Sequence, residues 1–414
     1  MSGARLARGR VLAYGLLGFP LAFAALPIYV HVPKLYADAL GMPLALVGGV
    51  LLGARVLDAV ADPLIGWVSD RFASRRRVIA VGLVPLAVGV IALLRPPAEA
   101  GALWLLLALT LAYAGYSVAN INYQAWGARM APTPRDRTRV VASREGFGLA
   151  GVVLAAALPA WLAGEMATGL AQLALVFVPV VLVAAAVTLR FGGDDGAMPS
   201  QASPRLLATV LRRPDFGRLL LVFAVGGIAA AVPATTVLFF VDDVIGAEVQ
   251  AGRFLALYFV AGGASLPLWV ALAHRLGKVR AWLAGMAVSM AAFAWAAGLG
   301  AGDTLAFGLI CVASGMALGA DLTLPPAILA DQLAHGADGD GACFGWWNFV
   351  TKANLALAAG VSLPLLALLG YAPGAREPAA VAALAMVYAG VPVGLKALAA
   401  LLLWRWRNQL GEGR

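Results

Sequence analysis

Charged residues are scarce in this chain. Asp, Glu, Lys and Arg make up 12% of its 414 residues, about half the share of a soluble domain. Histidine occurs three times, at the scattered positions His31, His274 and His335, so neither a histidine metal cluster nor a Ser-His-Asp triad is spelled out. The two cysteines, Cys311 and Cys343, lie in or beside apolar runs and exclude a disulfide framework. A Gly-x-x-x-x-Gly-Lys-Ser/Thr phosphate loop is missing, which argues against a primary ATP-driven pump. Nothing in this set marks an enzyme, and no cofactor or metal is expected.

What is present is hydrocarbon. Apolar residues reach 62%, against about 45–50% in soluble domains. A membrane-crossing helix needs roughly 20 apolar residues, and twelve would absorb nearly all of them. The apolar runs are continuous, unlike the alternating strands of a transmembrane barrel. Spans are predicted at 11–36, 43–68, 78–94, 102–127, 140–163, 170–190, 216–241, 252–273, 280–299, 304–331, 343–369 and 379–404. The first, from Val11, is longer than the 7–15 apolar residues of a signal peptide, and reads as a retained span. The predicted fold is therefore all-α and membrane-embedded: an N-terminal six-helix bundle (1–191), a polar cytoplasmic linker (192–215) and a C-terminal six-helix bundle (216–414).

The net charge of +9 is a matter of topology, not of nucleic acid. With the N-terminus inside, the cytoplasmic segments collect 22 of the 30 Lys and Arg, including Arg71, Arg75, Arg76 and Arg77, then Arg129, Arg135, Arg137 and Arg139. The opposite side holds Lys34, Arg95, Arg253 and Arg376. Such an excess marks cytoplasmic loops, so both termini are expected in the cytoplasm of a plasma (inner) membrane protein. The two halves share faint loop similarities. Gly66-Trp67-Val68-Ser69-Asp70-Arg71, with the basic cluster after it, follows the second span, and His274-Arg275-Leu276-Gly277-Lys278 follows the eighth. Paired halves with a site at their interface are the pattern of the major facilitator architecture, which the Gly66, Asp70, Arg71 and Arg75 loop also resembles; a gating role is expected for it.

A charge within a span costs about 2.5–3.5 kcal/mol on the insertion scale, so the few that occur carry most of the functional information. Arg55, Asp58 and Asp62 are spaced three and four apart and share one face of the second span. Together they leave one negative charge. That suits Na⁺, Li⁺ or H⁺, since hard cations take oxygen ligands and a carboxylate in apolar surroundings can hold a proton. The plainer reading is a structural ion pair, with Arg55 as charge balancer. Arg144, beside Glu145, lies about one turn inside the fifth span. Lys352 lies about ten residues into the eleventh and is expected to face the acids or a substrate. Lys396, in the twelfth, is assigned to snorkelling or a salt bridge. Asp321 precedes Pro325-Pro326, which are expected to break the tenth span there. Asp242 and Asp243 read as solvated acids. The fourth span is the most polar, with Tyr113, Tyr116, Ser117, Asn120, Asn122, Tyr123 and Gln124. Its hydroxyls and amides suit an uncharged polar substrate.

The run Ala54-Arg55-Val56-Leu57-Asp58-Ala59-Val60-Ala61-Asp62-Pro63-Leu64-Ile65-Gly66-Trp67 resembles the glycoside–pentoside–hexuronide cation symporters, a melibiose-carrier-like family of the major facilitator superfamily. Arg135-Asp136-Arg137-Thr138 to Arg144, and the stretch from Ala330 through Lys352 to Tyr371, resemble the same family. The resemblance implies that Asp58 and Asp62 bind the cation with Ser117 as a hydroxyl ligand. It implies that Lys352 links cation and sugar sites, and that Arg144 lines the cavity. The pattern departs at Ala61, where the family carries asparagine. It departs also at Pro20, Asn120 and Gln124, which replace a sugar-binding aspartate, a second aspartate and a stacking tryptophan. Tyr116, Asn120, Gln124 and the additional Asp321 then stand as substrate candidates.

The function expected is Na⁺- or H⁺-coupled symport of a small organic substrate, a sugar or glycoside by resemblance, by a monomer in the bilayer. The alternative is a uniporter or exporter of an amphipathic, lysolipid-like substrate without tight cation coupling.

Overall fold

A computed structural model describes residues 6–38, 40–72, 74–163, 166–193, 205–334 and 339–410. It is helical throughout its described length. The helices are α1 (Arg8–Gly15), α2 (Gly18–Val30), α3 (Val32–Asp38), α4 (Leu44–Ser69), α5 (Arg75–Leu94), α6 (Ala102–Met130), α7 (Pro134–Leu162), α8 (Met166–Phe191) and α9 (Arg205–Arg212). After these come α10 (Pro214–Phe239), α11 (Ala251–Leu276), α12 (Lys278–Ala296), α13 (Thr304–Leu333), α14 (Asp340–Leu368), α15 (Pro378–Ala385), α16 (Val391–Arg405) and α17 (Arg407–Leu410). Wider π-type turns extend α10 over Phe240–Ile245 and join α15 to α16 over Met386–Gly390. Among the described residues, nine helices are long and apolar enough to cross a membrane.

Local chemistry sets the boundaries. Thr133 caps α7, accepting the Asp136 N–H at 3.1 Å, and Pro134 occupies the first turn where no N–H is required. Ser74 caps α5 in the same way. Gly277, at φ 83°, turns α11 into α12, a conformation that an L side chain resists.

Three expectations change. The first span is three helices, not one. Pro20 lacks the N–H that would reach the Leu16 carbonyl, which instead accepts from Phe19 at 3.1 Å. Pro33 likewise withholds a donor from Tyr29, and the chain turns at His31. Pro325-Pro326 do the opposite of what was expected: α13 runs through both without interruption. The two carbonyls they free, those of Asp321 and Leu322, are tolerated in a helix packed within protein. The expected polar linker is partly helical, since α9 and the start of α10 fall within 192–215; its residues 194–204 lie outside the described ones.

The chain divides into two compact units, Met1–Leu211 with Leu333–Phe349, and Arg212–Gln332 with Val350–Arg414. The first is centred on Tyr14, Leu17, Phe23, Tyr123, Trp126 and Phe177. The second is centred on Phe240, Phe254, Phe307 and Tyr388, with Phe240 and Tyr388 stacked 4.1 Å apart. Polar side chains are buried while Leu57, Val81, Val84, Leu103 and Leu182 are left outside, a surface suited to lipid.

Candidate functional site

In the first unit α4 packs along α6, and this pairing builds the acidic site. Ser117 Oγ of α6 donates to Asp58 Oδ1 of α4 at 2.8 Å. Asp62 follows one turn later and is fully buried at 0% exposure, with Asp58 at 9%. The spacing of four places both carboxylates on one face. Arg55, expected on that face as the charge balancer, is exposed. Two buried carboxylates and a hydroxyl supply hard oxygen atoms for a cation or a proton.

The start of α14 lies against α4 backbone to backbone. A Cβ at Gly345 would stand 2.5 Å from the Asp62 carbonyl oxygen and 2.8 Å from Pro63 Cα. Gly66 and Gly341 form a second such approach. Just beyond, Asp70 accepts the Gly341 N–H at 2.8 Å and the Ala342 N–H at 3.1 Å. Those are free donors of the first turn of α14, where a negative charge is favoured. Arg75 holds the same carboxylate at 2.6 Å and donates to Asn122 Oδ1 at 3.1 Å, while Asn122 donates to Ser69 Oγ at 2.8 Å. Arg129 pairs with Asp340 of α14. Gly66, Asp70 and Arg75 of the expected gating loop therefore meet in one buried network. Arg71 departs from it: it is exposed, its guanidinium 4.0 Å from the centre of the Trp67 ring. The network's Asn122, Arg129 and Asp340 were not foreseen as a group, because nothing in linear spacing joins α6 to α14.

Among the substrate candidates of this unit, Tyr116 and Asn120 are half-buried. Gln124 is buried and donates to Asn348 Oδ1 at 3.0 Å. Arg144 is held by its neighbour Glu145 through two donors, at 2.5 and 2.8 Å. Beside them, the Tyr14 and Tyr123 hydroxyls donate to each other's backbone carbonyls at 2.7 and 2.5 Å.

Lys352 and Asp321 belong to the second unit. Lys352 is half-buried on α14. Asp321 is held from two sides: Lys396 Nζ of α16 reaches Oδ2 at 2.5 Å, and Trp282 Nε1 of α12 donates to Oδ1 at 2.9 Å. Lys396 is 3% exposed and its partner side chain 22%. Of the two roles expected for Lys396, the structure takes the salt bridge and excludes snorkelling. Asp321 opens on a cavity of about 40 Å³ walled by Phe223, Gly226, Gly227 and Ala230 of α10 and by Trp282. Asp243, expected to be solvated, is buried. It accepts from the Tyr371 hydroxyl and from the Gly374 N–H at 3.0 Å. Burial, and next the adjacent Asp243, push the Tyr371 phenol above its ordinary range. Among the described residues, no cluster of three or more His, Cys, Asp or Glu is arranged to hold a metal.

A family model described as "MFS/sugar transport protein" matches residues 11–408. The "Glucuronide carrier protein homolog" of Escherichia coli (strain K12) is 25% identical over 89% of this chain and 86% of its own length. Two symporters match over shorter stretches. The "Inner membrane symporter YicJ" of the same organism is 33% identical over 30% of this chain and 28% of its own length. An "Uncharacterized symporter sll1374" of Synechocystis is 30% identical over 34% of this chain and 29% of its own. The chain thus spans under a third of the length of these two curated relatives. Among solved structures, a bacterial homologue of the iron transporter ferroportin in its outward-facing state superposes with a TM-score of 0.74 at 16% identity, covering 97% of this chain and all of that one. The Escherichia coli fucose:proton symporter FucP superposes with a TM-score of 0.70 at 14% identity, over 94% and 98%. At these identities the likeness shows the fold.

Proposed function

The chain belongs to the MFS/sugar transport protein family, and we propose that it is a cation-coupled symporter of a small polyhydroxylated substrate, a sugar or glycoside. It is a multi-pass membrane transporter and not an enzyme. The observation that carries the proposal is the buried carboxylate pair of α4 with its hydroxyl partner: Ser117 to Asp58 at 2.8 Å, and Asp62 at 0% exposure one turn on. Two buried carboxylates beside a hydroxyl present the oxygen atoms that a hard cation or a proton takes. Twelve crossings with both termini cytoplasmic complete the reading.

In this mechanism the cation occupies Asp58, Asp62 and Ser117. In the first unit Arg144 lines the cavity, with Tyr116, Asn120 and Gln124 as substrate candidates; in the second, Asp321 is a substrate candidate and Lys352 the coupling residue. Cation binding raises substrate affinity, and by linkage the substrate raises cation affinity equally. Asp70 and Arg75 hold the first turn of α14 when access is shut on their side, and release it when access opens. No other cofactor is required, and a monomer suffices.

The experiment is uptake into proteoliposomes under an imposed Na⁺ or H⁺ gradient, with labelled methyl glycosides and uronides as probes. The wild type should accumulate a probe uphill with one of the two cations. Asp62→Ala should lose that accumulation at equal protein level, and Ser117→Ala should need roughly ten times more cation. Uphill uptake unchanged in Asp62→Ala would refute the proposal.

A further inference from the structure

The acids through which the resembling family grips sugar hydroxyls are replaced here, at Pro20 and Asn120. The second unit holds a carboxylate that the family pattern does not account for. Asp321 is fixed by two donors from two different helices, Lys396 Nζ at 2.5 Å on Oδ2 and Trp282 Nε1 at 2.9 Å on Oδ1. Both holders are buried, Lys396 at 3% and Trp282 at 1% exposure, whereas the Asp321 side chain keeps 22%. Each carboxylate oxygen has two acceptor directions. Among the described residues one on each is taken, by Lys396 and by Trp282.

The space adjoining Asp321 is small. The adjoining cavity measures about 40 Å³, and its walls from α10 (Phe223, Gly226, Gly227 and Ala230) are apolar or glycine. A whole ligand usually occupies a pocket of roughly 300–1,000 Å³, so this one cannot take a sugar ring. It can take one hydroxyl or hydroxymethyl arm. The charges decide which group enters. An anion would meet the carboxylate, a cation would meet Lys396, and the pair together is neutral. A hydroxyl meets neither penalty and supplies the O–H that a carboxylate accepts.

We propose that Asp321 is a hydroxyl-recognising subsite for one arm of the transported substrate, with Lys396 and Trp282 as the positioning residues that aim its carboxylate into the cavity. The proposal rests on the reading of this protein as a carrier of sugars or glycosides, and adds to it where in the second unit a hydroxyl is read. It also separates this chain from its resembling family, in which that work falls to acids of the first and fourth spans.

The test is binding to the purified protein in nanodiscs by titration calorimetry. The probes are the methyl β-glycosides of glucose, galactose and xylose, their single-deoxy forms, and methyl β-glucuronide. In the wild type, deleting one hydroxyl of the glycoside that binds should weaken it roughly ten- to a hundred-fold. In the double variant Asp321→Asn/Lys396→Met, which leaves no charge without its partner, the same deletion should cost nothing further. Lys396→Arg should restore the wild-type pattern, because it retains a donor and a charge. Three outcomes would overturn the inference. Identical deoxy profiles in wild type and double variant would sink it alone. Loss of glucuronide binding in Lys396→Met with neutral glycosides unaffected would assign the cavity to an anion. Failure of the wild type to bind any glycoside would remove the sugar-carrier reading and this inference with it.

Discussion

The Lys396–Asp321 pair makes a quantitative demand on stability, because its two members are buried unequally. Removing one partner of a buried pair costs about 3–5 kcal/mol, since the other is left as an uncompensated charge. Asp321→Asn strands an ammonium at 3% exposure. A loss of about 4 kcal/mol is expected. Lys396→Met strands the carboxylate at 22% exposure, which keeps the Trp282 N–H at 2.9 Å. Partial hydration and one donor should hold that loss to about 2 kcal/mol. The double variant leaves no stranded charge and should fall within about 1 kcal/mol of the wild type, as neutral replacements of buried pairs often do. The coupling between the two sites is then about 5 kcal/mol, well above the few tenths expected of independent positions.

The assay is equilibrium unfolding in mixed dodecyl maltoside–SDS micelles, followed by circular dichroism at pH 7. Additivity of the two single variants within about 0.5 kcal/mol would refute the reasoning. So would a larger loss for Lys396→Met than for Asp321→Asn.

Two further outcomes follow from the same coordinates. Gly345→Ala drives a Cβ to 2.5 Å from the Asp62 carbonyl oxygen, so α14 must back away from α4 at a cost of about 1–3 kcal/mol. Gly360→Ala, on the same helix with nothing within 4 Å of its Cβ, should be neutral or stabilise by up to about 1 kcal/mol; equal effects of the two in micellar unfolding would contradict the close approach. Tyr371→Phe removes the hydrogen bond to Asp243 and should cost about 1–2 kcal/mol at pH 8. Because the folded state raises the affinity of this phenol for its proton, the stabilisation is complete below about pH 10 and is lost as pH rises further. The variant should therefore lose less stability than the wild type between pH 9 and 11, and parallel pH profiles would count against the buried contact.

How much of this was legible beforehand depends on the range over which each signal acts. Apolar run length acts locally, and it placed elements well: the fourth run, read as 102–127, is Ala102–Met130, and the tenth, read as 304–331, is Thr304–Leu333. Proline signals acted unevenly for a physical reason. Pro20 and Pro33 interrupt the first run, whereas Pro325 and Pro326 are carried through α13, because the fate of a freed carbonyl depends on neighbours that a linear reading does not contain. Charge spacing put Asp58 and Asp62 on one face, where both are buried, but did not show that Arg55 is exposed. Lys396 stood open to two roles, and the structure shows one of them. Within its own span it has no acid in reach, so snorkelling stood open beside a salt bridge. Its acid is Asp321, 75 positions earlier. A buried lysine without an acid on its own helix is commonly offset by an acid or a backbone carbonyl of another. That tendency is itself a sequence-level rule. Applied to the second half, where Lys352 and Lys396 are the cations within spans and Asp321 is the mid-span acid, it makes Asp321 the partner to test for each of them.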